Sequence, residues 1–467
     1  MEHGLEALPV ELVCHIAASL DLQHIRCLRL TSRSLAAKLA PRNFARFFAS
    51  KRIELALEPL RNMAYMTSKG HMSSLLQHCT IVGIAENDDN YTPNLDELVR
   101  LLTEAFINIK KHSPRAGIAS LRLGMAVRII PDDGPDDAVD DEGYWVPKPC
   151  PRRARQVFEW DAALQTFHTY WVPKPCPRRA QQVIVWDAAL KTFDITMKAL
   201  HGSQLPVLKH LDLFDDVPQC SLVYKALLPL GQQLASTAVF SSLRKLTMSA
   251  SSPSFSEDQK QLARDSEEFD QSLHGTLFLQ GLLAMAAFMP GLEDLDVHWY
   301  NVGGNDPKSV LEDRRVRLDT SSYVNLPRLR TCRFRGLYVH KDDLLECIKV
   351  FQPIVLTITD IHLVSAARAS EWAWIPIFDY LVSADSPVTS YYLDDVYEGR
   401  RLLHFEAPGK AKFRNIEEDM GPSTLTREGD EVKEAIRYRT TFTRAIESGA
   451  YTSWWWDKSV VFGPPSF

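Results

Sequence analysis

The chain has no surplus of basic residues. Its 53 Lys and Arg stand against 59 Asp and Glu, a formal net charge of −6. That argues against general nucleic-acid or anionic-membrane binding, which need a basic footprint. No uninterrupted apolar run approaches the ~20 residues of a membrane-spanning helix. Glu2 and Glu6 occupy the place where a signal peptide carries its basic segment, so none is expected there. The eight cysteines (14, 27, 79, 150, 176, 220, 332 and 347) include no Cys-x-x-Cys pair. Scattered through 467 residues, they read as reduced, mostly buried thiols of a cytoplasmic or nuclear protein rather than as a disulfide framework. Gly-x-Gly-x-x-Gly, the Walker phosphate loop, His-Glu-x-x-His and Gly-x-Ser-x-Gly are all missing. Nucleotide cradling, zinc proteolysis and serine esterase chemistry therefore lack their usual frames.

What is present is the balance of a globular protein, 45% hydrophobic and 24% charged. The length allows two or three domains. The most specific pattern lies in the first forty residues. Pro9 suits the start of a helix. Leu12, Ile16 and Leu20 then recur every four residues, with Val13 and Ala17 beside them, as the stripe of an amphipathic helix. Asp21 is placed to cap a second helix carrying Leu22, Ile25 and Leu28. Ser32 is placed to cap a third, carrying Leu35 and Leu39 and ending at Pro41. Three helices in about forty residues cannot bury that much apolar surface among themselves. Cys14, His15, His24 and Cys27 are unsuitably spaced for a metal. The apolar stripe must therefore meet a partner or the rest of this chain.

This segment resembles the F-box. The family signature is matched at Leu8, Pro9, Glu11, Leu12, Ile16, Leu20, Leu28, Arg29, Leu30, Thr31, Ser32 and Arg33. The resemblance covers about a tenth of the chain. It implies docking on a Skp-type adaptor and, through it, membership of a cullin–RING ubiquitin ligase. The adaptor-binding positions it implies are Leu8, Pro9, Leu12, Ile16, Leu20, Ile25 and Leu28, with Pro9, Leu12, Ile16 and Leu20 foremost.

Residues 43–70 are rich in Phe, Leu and Arg and predict a helical linker. Beyond them an apolar pattern at i, i+3 and i+5 recurs. It falls at Leu76/Cys79/Ile81, Ile118/Leu121/Leu123, Leu208/Leu211/Leu213, Leu243/Leu246/Met248, Leu292/Leu295/Val297 and Leu329/Cys332/Phe334, with a weaker Pro353/Leu356/Ile358. The alternation from i+3 to i+5 is strand-like, and Leu-x-x-Leu-x-Leu is the strand signature of leucine-rich repeats. The starts lie 42, 90, 35, 49, 37 and 24 residues apart, longer and less even than the ~20–29 of regular repeats. Helices are expected over 92–111, 221–234, 277–289 and 341–351, with Pro or Gly at the joints. The expected fold class is therefore α/β, an N-terminal three-helix F-box (1–42) followed by an irregular leucine-rich-repeat-like strand–helix solenoid (71–406). A single irregular α/β domain with chance Leu spacing is the alternative.

Two features explain the 90-residue gap. Residues 131–143 read PDDGPDDAVDDEG, an acidic segment that predicts a solvated loop. Then Tyr144–Phe167 and Tyr170–Phe193 are a direct duplication, identical at 20 of 24 positions with a period of 26. The second copy leads into the next strand and predicts a helix over 186–200. The first reads as a tolerated insertion within 131–169, or a gene-model artefact. A twofold docking motif on Trp145, Arg152, Arg153, Trp171, Arg178 and Arg179 is the functional alternative. Residues 407–467 predict a C-terminal cap or tail with a solvated helix over 431–446. Trp454–Trp456 either cover a core edge or form an exposed recognition patch.

Chemistry-bearing clusters are weak. His71, His78 and Cys79 read as surface and core residues rather than ligands. Asp215-Asp216 and Asp394-Asp395 read as solvated turns. The sequence predicts no cofactor, no metal and no catalytic site. On the expected strands, i+2 and i+4 point away from the core. The candidate substrate-binding residues are thus His210, Asp212, Lys245, Asp294, Asp296 and Arg333, beside Thr247 and Thr331. The resemblance is to fungal-type F-box proteins with degenerate leucine-rich repeats. It implies a non-catalytic substrate receptor of an SCF-type ligase, its partners an adaptor and an unidentified substrate protein. An interaction scaffold that binds the adaptor without directing ubiquitination is the alternative, and an enzyme built on the α/β body a more distant one.

Overall fold

A computed structural model describes residues 4–39, 48–70, 73–86, 94–128, 178–215, 217, 220–227, 238–251, 271–300, 317–321, 323, 326–364, 372–399, 401–409 and 421–442. It is a mixed α/β protein with a large, mostly parallel sheet and nine helices among these residues.

The chain opens with three helices, α1 (Val10–Ala18), α2 (Leu22–Thr31) and α3 (Arg33–Lys38). The capping side chains are where the sequence puts them. Asp21 accepts from the His24 amide, and Ser32 from the amides of Ser34 and Leu35. Each satisfies donors the first helical turn leaves orphaned. Pro9 sits one place before α1, as its N-cap. Lys38 closes the unit by donating to the carbonyls of Glu6 and Leu8 at 2.5 and 2.7 Å.

The expected linker is not purely helical. It holds strand β1 (Ser50–Glu54) and then α4 (Leu57–Ser68), and β1 pairs in parallel with β2 (His78–Glu86). The linker is thus the first strand–helix unit of the body. Charge misled the sequence reading, since the core-side positions of β1 are Lys51 and Ile53 at a sheet edge, where a lysine is tolerated.

Helix α5 (Leu95–His112), capped by Asn94, precedes β3 (Ile118–Arg128). Helix α6 (Arg178–Ser203) takes in most of the second copy of the duplication and leads to β4 (Val207–Leu213). The first copy, the acidic segment and the Trp454–Trp456 run lie outside the described residues. Residues 222–223 form a short strand, β5, where a helix was expected, and a 3-10 turn follows at Tyr224–Ala226. The chain continues through β6 (Lys245–Ser251), α7 (Gln271–Ala286), β7 (Asp294–Tyr300), β8 (Thr331–Arg335), β9 (Tyr338–His340), α8 (Lys341–Phe351), β10 (Val355–Thr359), β11 (His362–Val364), α9 (Ile375–Val382), β12 (Ser390–Asp394), β13 (Tyr397–Glu398), β14 (Arg401–Phe405), β15 (Thr424–Glu428) and β16 (Tyr438–Phe442).

The main sheet runs β1-β2-β3-β4-β6-β7-β8-β10-β12-β15, each neighbour next along the chain apart from short strands set aside. All pairs are parallel until β15 closes the edge antiparallel to β12. All seven i, i+3, i+5 sites fall on these strands, and the register stacks their apolar positions. One row is Cys79, Leu121, Leu211, Leu246, Leu295, Cys332, Leu356 and Tyr391. The next is Ile81, Leu123, Leu213, Met248, Val297, Phe334, Ile358 and Leu393. All sixteen are buried. A register shift after Ile118 puts Val207, not Leu208, in the first position of the fourth unit.

The last three parallel units share a corner the sequence reading missed. Strands β8, β10 and β12 are each followed directly by a residue with positive φ, namely Gly336 (+77°), Asp360 (+55°) and Asp395 (+49°). The chain then turns into a second sheet, β9-β11-β13-β14-β16. There Tyr338, His362 and Tyr397 stand in register, their rings stacked at centroid distances of 4.2 and 4.1 Å. Residues 431–446 are not a helix where described. A 3-10 turn covers Gly429–Lys433, and Tyr438–Phe442 is a strand, as its aromatic and β-branched content favours. The body's sheets therefore reach from Ser50 to Phe442, beyond the expected 71–406 at both ends.

Candidate functional site

The N-terminal unit has its own small core of Val13, Ala17, Ile25, Leu35 and Leu39, with Leu8, Leu20 and Leu28 packed against it half-buried. It is separate from the continuous body core that runs from Leu60 to Tyr438. The α1 stripe divides as helical geometry requires. Val13 and Ala17 turn inward. Leu12 and Ile16, one residue earlier in each pair and so about 100° round the axis, stay 51% and 37% exposed. Val10 and Leu30 are 44% and 86% exposed. Of the seven implied docking residues, Pro9, Leu12 and Ile16 are exposed, Leu8, Leu20 and Leu28 are half-buried, and Ile25 is fully enclosed. As the α2 residue that faces α1 and α3 in this core, Ile25 is unavailable to an outside chain.

The second candidate surface is the side of the main sheet opposite the apolar rows. All six predicted residues stand on it, in two adjacent rows. The first row reads Ser50, His78, Ser120, His210, Lys245, Asp294 and Thr331. The second reads Arg52, Thr80, Arg122, Asp212, Thr247, Asp296 and Arg333. Most of these side chains are partnered with one another. Asp212 is buried, its carboxylate taken by Arg122 Nε at 2.9 Å and the Asp215 amide at 3.1 Å. His210 Nε2 shares a hydrogen bond with Thr247 Oγ1 at 3.0 Å. Asp294 is met by Arg330 at 2.8 Å and by the Thr331 hydroxyl. Asp296 is met by Arg333 at 2.8 Å and Arg335 at 2.9 Å. The two carboxylates in the middle of this face, Asp294 and Asp296, are therefore neutralised in place.

A third row, which a pattern ending at i+5 does not reach, adds Ser249, His298 and Arg335. Arg335 bridges Asp296 and Asp215, the latter at 3.1 Å. Burial, with the Arg335 charge adding to it, pushes the His298 imidazole down to about 3 against weaker support from Asp360. The centre of this face is thus a packed polar cluster around a neutral histidine.

The remaining chemistry-bearing groups disperse. Cys79 is buried while its neighbour His78 is exposed on the opposite face, bonded to the Ser120 hydroxyl at 2.7 Å. Desolvation holds the His78 imidazole below its ordinary range, with Lys209 assisting. Burial pushes the Cys79 thiol up to about 12 and raises Cys220, Cys332 and Cys347 as well. Thiols so raised are poor nucleophiles. Asp395 is not a solvated turn residue. It is fully buried, and the Ser423 hydroxyl donates to it at 3.5 Å. Among the described residues no group of three or more His, Cys, Asp or Glu is arranged to hold a metal. No helix among them is long and apolar enough to cross a membrane. No protein-family model matches the chain, and a search of curated proteins returns no match.

Proposed function

We propose that this chain is an F-box protein, the non-catalytic substrate receptor of an SCF-type cullin–RING ubiquitin ligase. Its N-terminal helices dock a Skp-type adaptor, and its body, a leucine-rich-type strand–helix solenoid, holds a substrate protein. One observation carries the reading. The motif positions Pro9, Leu12 and Ile16 are left open to solvent on a unit whose own core uses the neighbouring stripe. Apolar side chains held outward on a preformed helix are what helix-in-groove recognition uses. The solenoid reading is supported by parallel strands following one another in chain order with their apolar rows in register. Such a receptor performs no bond chemistry. It raises the substrate's effective concentration beside the transfer machinery.

The test is co-purification with a Skp-type adaptor of the full chain, of the chain lacking residues 1–42, and of Leu12→Asp/Ile16→Asp. The full chain alone should retain the adaptor. Equal retention by all three would remove the proposal. Ubiquitin chains on body-bound proteins, formed only with the adaptor-competent chain, would separate a receptor from a passive scaffold.

A further inference from the structure

Helices α2 and α3 each begin on a capping side chain, Asp21 and Ser32, but α1 does not. Its N-cap is Pro9, which supplies no side-chain cap and no backbone N–H. What holds the chain entering α1 comes from the far end of the unit. Lys38, the last residue of α3, donates from Nζ to the carbonyl oxygens of Glu6 at 2.5 Å and Leu8 at 2.7 Å, 32 and 30 residues upstream. Both bonds are charge-assisted, the stronger kind, and the ammonium also suits the C-terminal end of the α3 dipole. The main-chain carbonyl of the same lysine accepts from the Cys14 thiol, inside α1, at 3.8 Å. One residue therefore holds both the arm, residues 4–8, and the helix it leads into. The arm is exposed from Gly4 to Ala7, and Leu8 is half-buried. Its backbone bonds, Ala7 N–H to Gly4 O at 2.9 Å and Leu8 N–H to Leu5 O at 3.3 Å, run within the arm itself. Among the described residues, the hydrogen bonds that tie it to the helices are those of Lys38, and Leu8 adds its packing.

We propose that Lys38 is a positioning residue for adaptor docking. By fixing Glu6 and Leu8 it holds Leu5 and Pro9 in place to extend the apolar ledge of Leu12 and Ile16 before the adaptor arrives. It acts through the arm, not by contact with the adaptor. The proposal rests on the receptor reading above and adds a residue that the motif does not contain. Pro9, Leu12 and Ile16 follow one another at three and four residues, the spacing of one helix face, so the arm joins that face at its N-terminal end. An exposed segment loses conformational entropy when it orders. A partner that needs it ordered bears that cost, unless the protein has ordered it beforehand. If loss of the ammonium leaves the arm in its docking position about a tenth of the time, the apparent affinity falls about tenfold. Leu8 keeps its packing against the small core in either case, so the three helices stay together.

The test uses the full chain and an immobilised Skp-type adaptor in biolayer interferometry, with peptide-resolved hydrogen exchange on the same samples. Lys38→Met removes the donors and keeps the apolar stem. It should bind about tenfold more weakly than the parent. Leu5→Ala should weaken binding on its own but change little in the Lys38→Met background, because a displaced arm has no contact left to lose. In Lys38→Met the peptide covering residues 4–9 should exchange faster, with residues 22–31 unchanged. The proposal falls if Lys38→Met binds like the parent, or if the losses from Leu5→Ala and Lys38→Met multiply in the double variant. It falls equally if exchange rises as much in residues 22–31, because Lys38 then stabilises the whole unit and positions nothing in particular. If the parent captures no adaptor, or Leu12→Asp/Ile16→Asp captures it as well as the parent, the receptor reading falls and takes this proposal with it. Binding that depends on Leu12 and Ile16 but not on Lys38 sinks this proposal alone.

Discussion

Gly336 and Gly429 share a left-handed backbone, with φ +77° and +60°, and differ in what surrounds them. A Cβ on Gly429 meets nothing within 4 Å, whereas one on Gly336 would lie 2.2 Å from the carbonyl oxygen of Trp299 on the neighbouring strand. Alanine at either site bears the left-handed penalty of roughly 1–2 kcal/mol. At Gly336 it must also push one backbone segment off another, at the corner where the Gly336 amide donates to Thr359 O at 3.0 Å. Overpacking of a well-filled core costs about 1–3 kcal/mol, and a backbone oxygen has no rotamer by which to yield. Gly429→Ala should therefore lower stability by roughly 1–2 kcal/mol and Gly336→Ala by roughly 2–5 kcal/mol. Urea unfolding of the full chain, followed by tryptophan fluorescence and far-ultraviolet circular dichroism, measures both. Equal midpoints for the two variants would refute the idea that the corner is fixed by close strand approach rather than by dihedral preference alone.

Four further outcomes are expected. Leu12→Ala/Ile16→Ala should change the unfolding midpoint little, because neither side chain belongs to the small N-terminal core, yet weaken adaptor capture by about 2 kcal/mol, the worth of burying their open halves. Ile25→Ala, in the enclosed core, should do the reverse first, destabilising the three-helix unit by about 2–4 kcal/mol, read by hydrogen exchange of residues 10–38. The body should lose stability in mild acid through His298, whose pKa is held below its unfolded value. The unfolded chain takes up the proton first, so stability is full above about pH 6.5 and falls as pH drops toward 3, by ~2 kcal/mol between pH 7 and 5. His298→Gln should flatten that slope in urea titrations, and an unchanged slope would show that other groups set it. Among the described cysteines, the exposed Cys27 should react first with a maleimide and Cys79, Cys220, Cys332 and Cys347 only on unfolding. Site-resolved mass spectrometry would read the order.

What the sequence revealed and what it hid follow from where the physical signal lies. The i, i+3, i+5 spacing located seven strands because burial of alternate residues is imposed on every strand of a one-sided sheet. Strand β12 carries the same spacing at Val388, Tyr391 and Leu393, all buried, but with Tyr in the middle. The corners were legible in retrospect. A Gly or Asp, then Leu, Ile or Val, then Tyr or His recurs at Gly336-Leu337-Tyr338, Asp360-Ile361-His362 and Asp395-Val396-Tyr397. Two- and three-residue strands offer too few alternations for periodicity to find. Polar pairing on the sheet face was less accessible. Which carboxylate meets which guanidinium depends on inter-strand register, and Arg335 meets Asp215 from 120 residues away.

The two-core arrangement bears on how the molecule would work as a receptor. The body buries one continuous apolar cluster from Leu60 to Tyr438, and neighbouring strands share it in register, so its sheet face is held stiffly. The N-terminal unit encloses five side chains, one of them an alanine. A unit that small keeps a low barrier to local opening. Whatever covers Leu12 and Ile16 adds apolar burial and therefore raises its stability by linkage. Adaptor binding should thus be read in exchange protection of α1 to α3, with the amides of β7 and β8 unchanged. Protection spreading into those strands would mean that the two cores are coupled, and that the adaptor site and the sheet face are not independent surfaces.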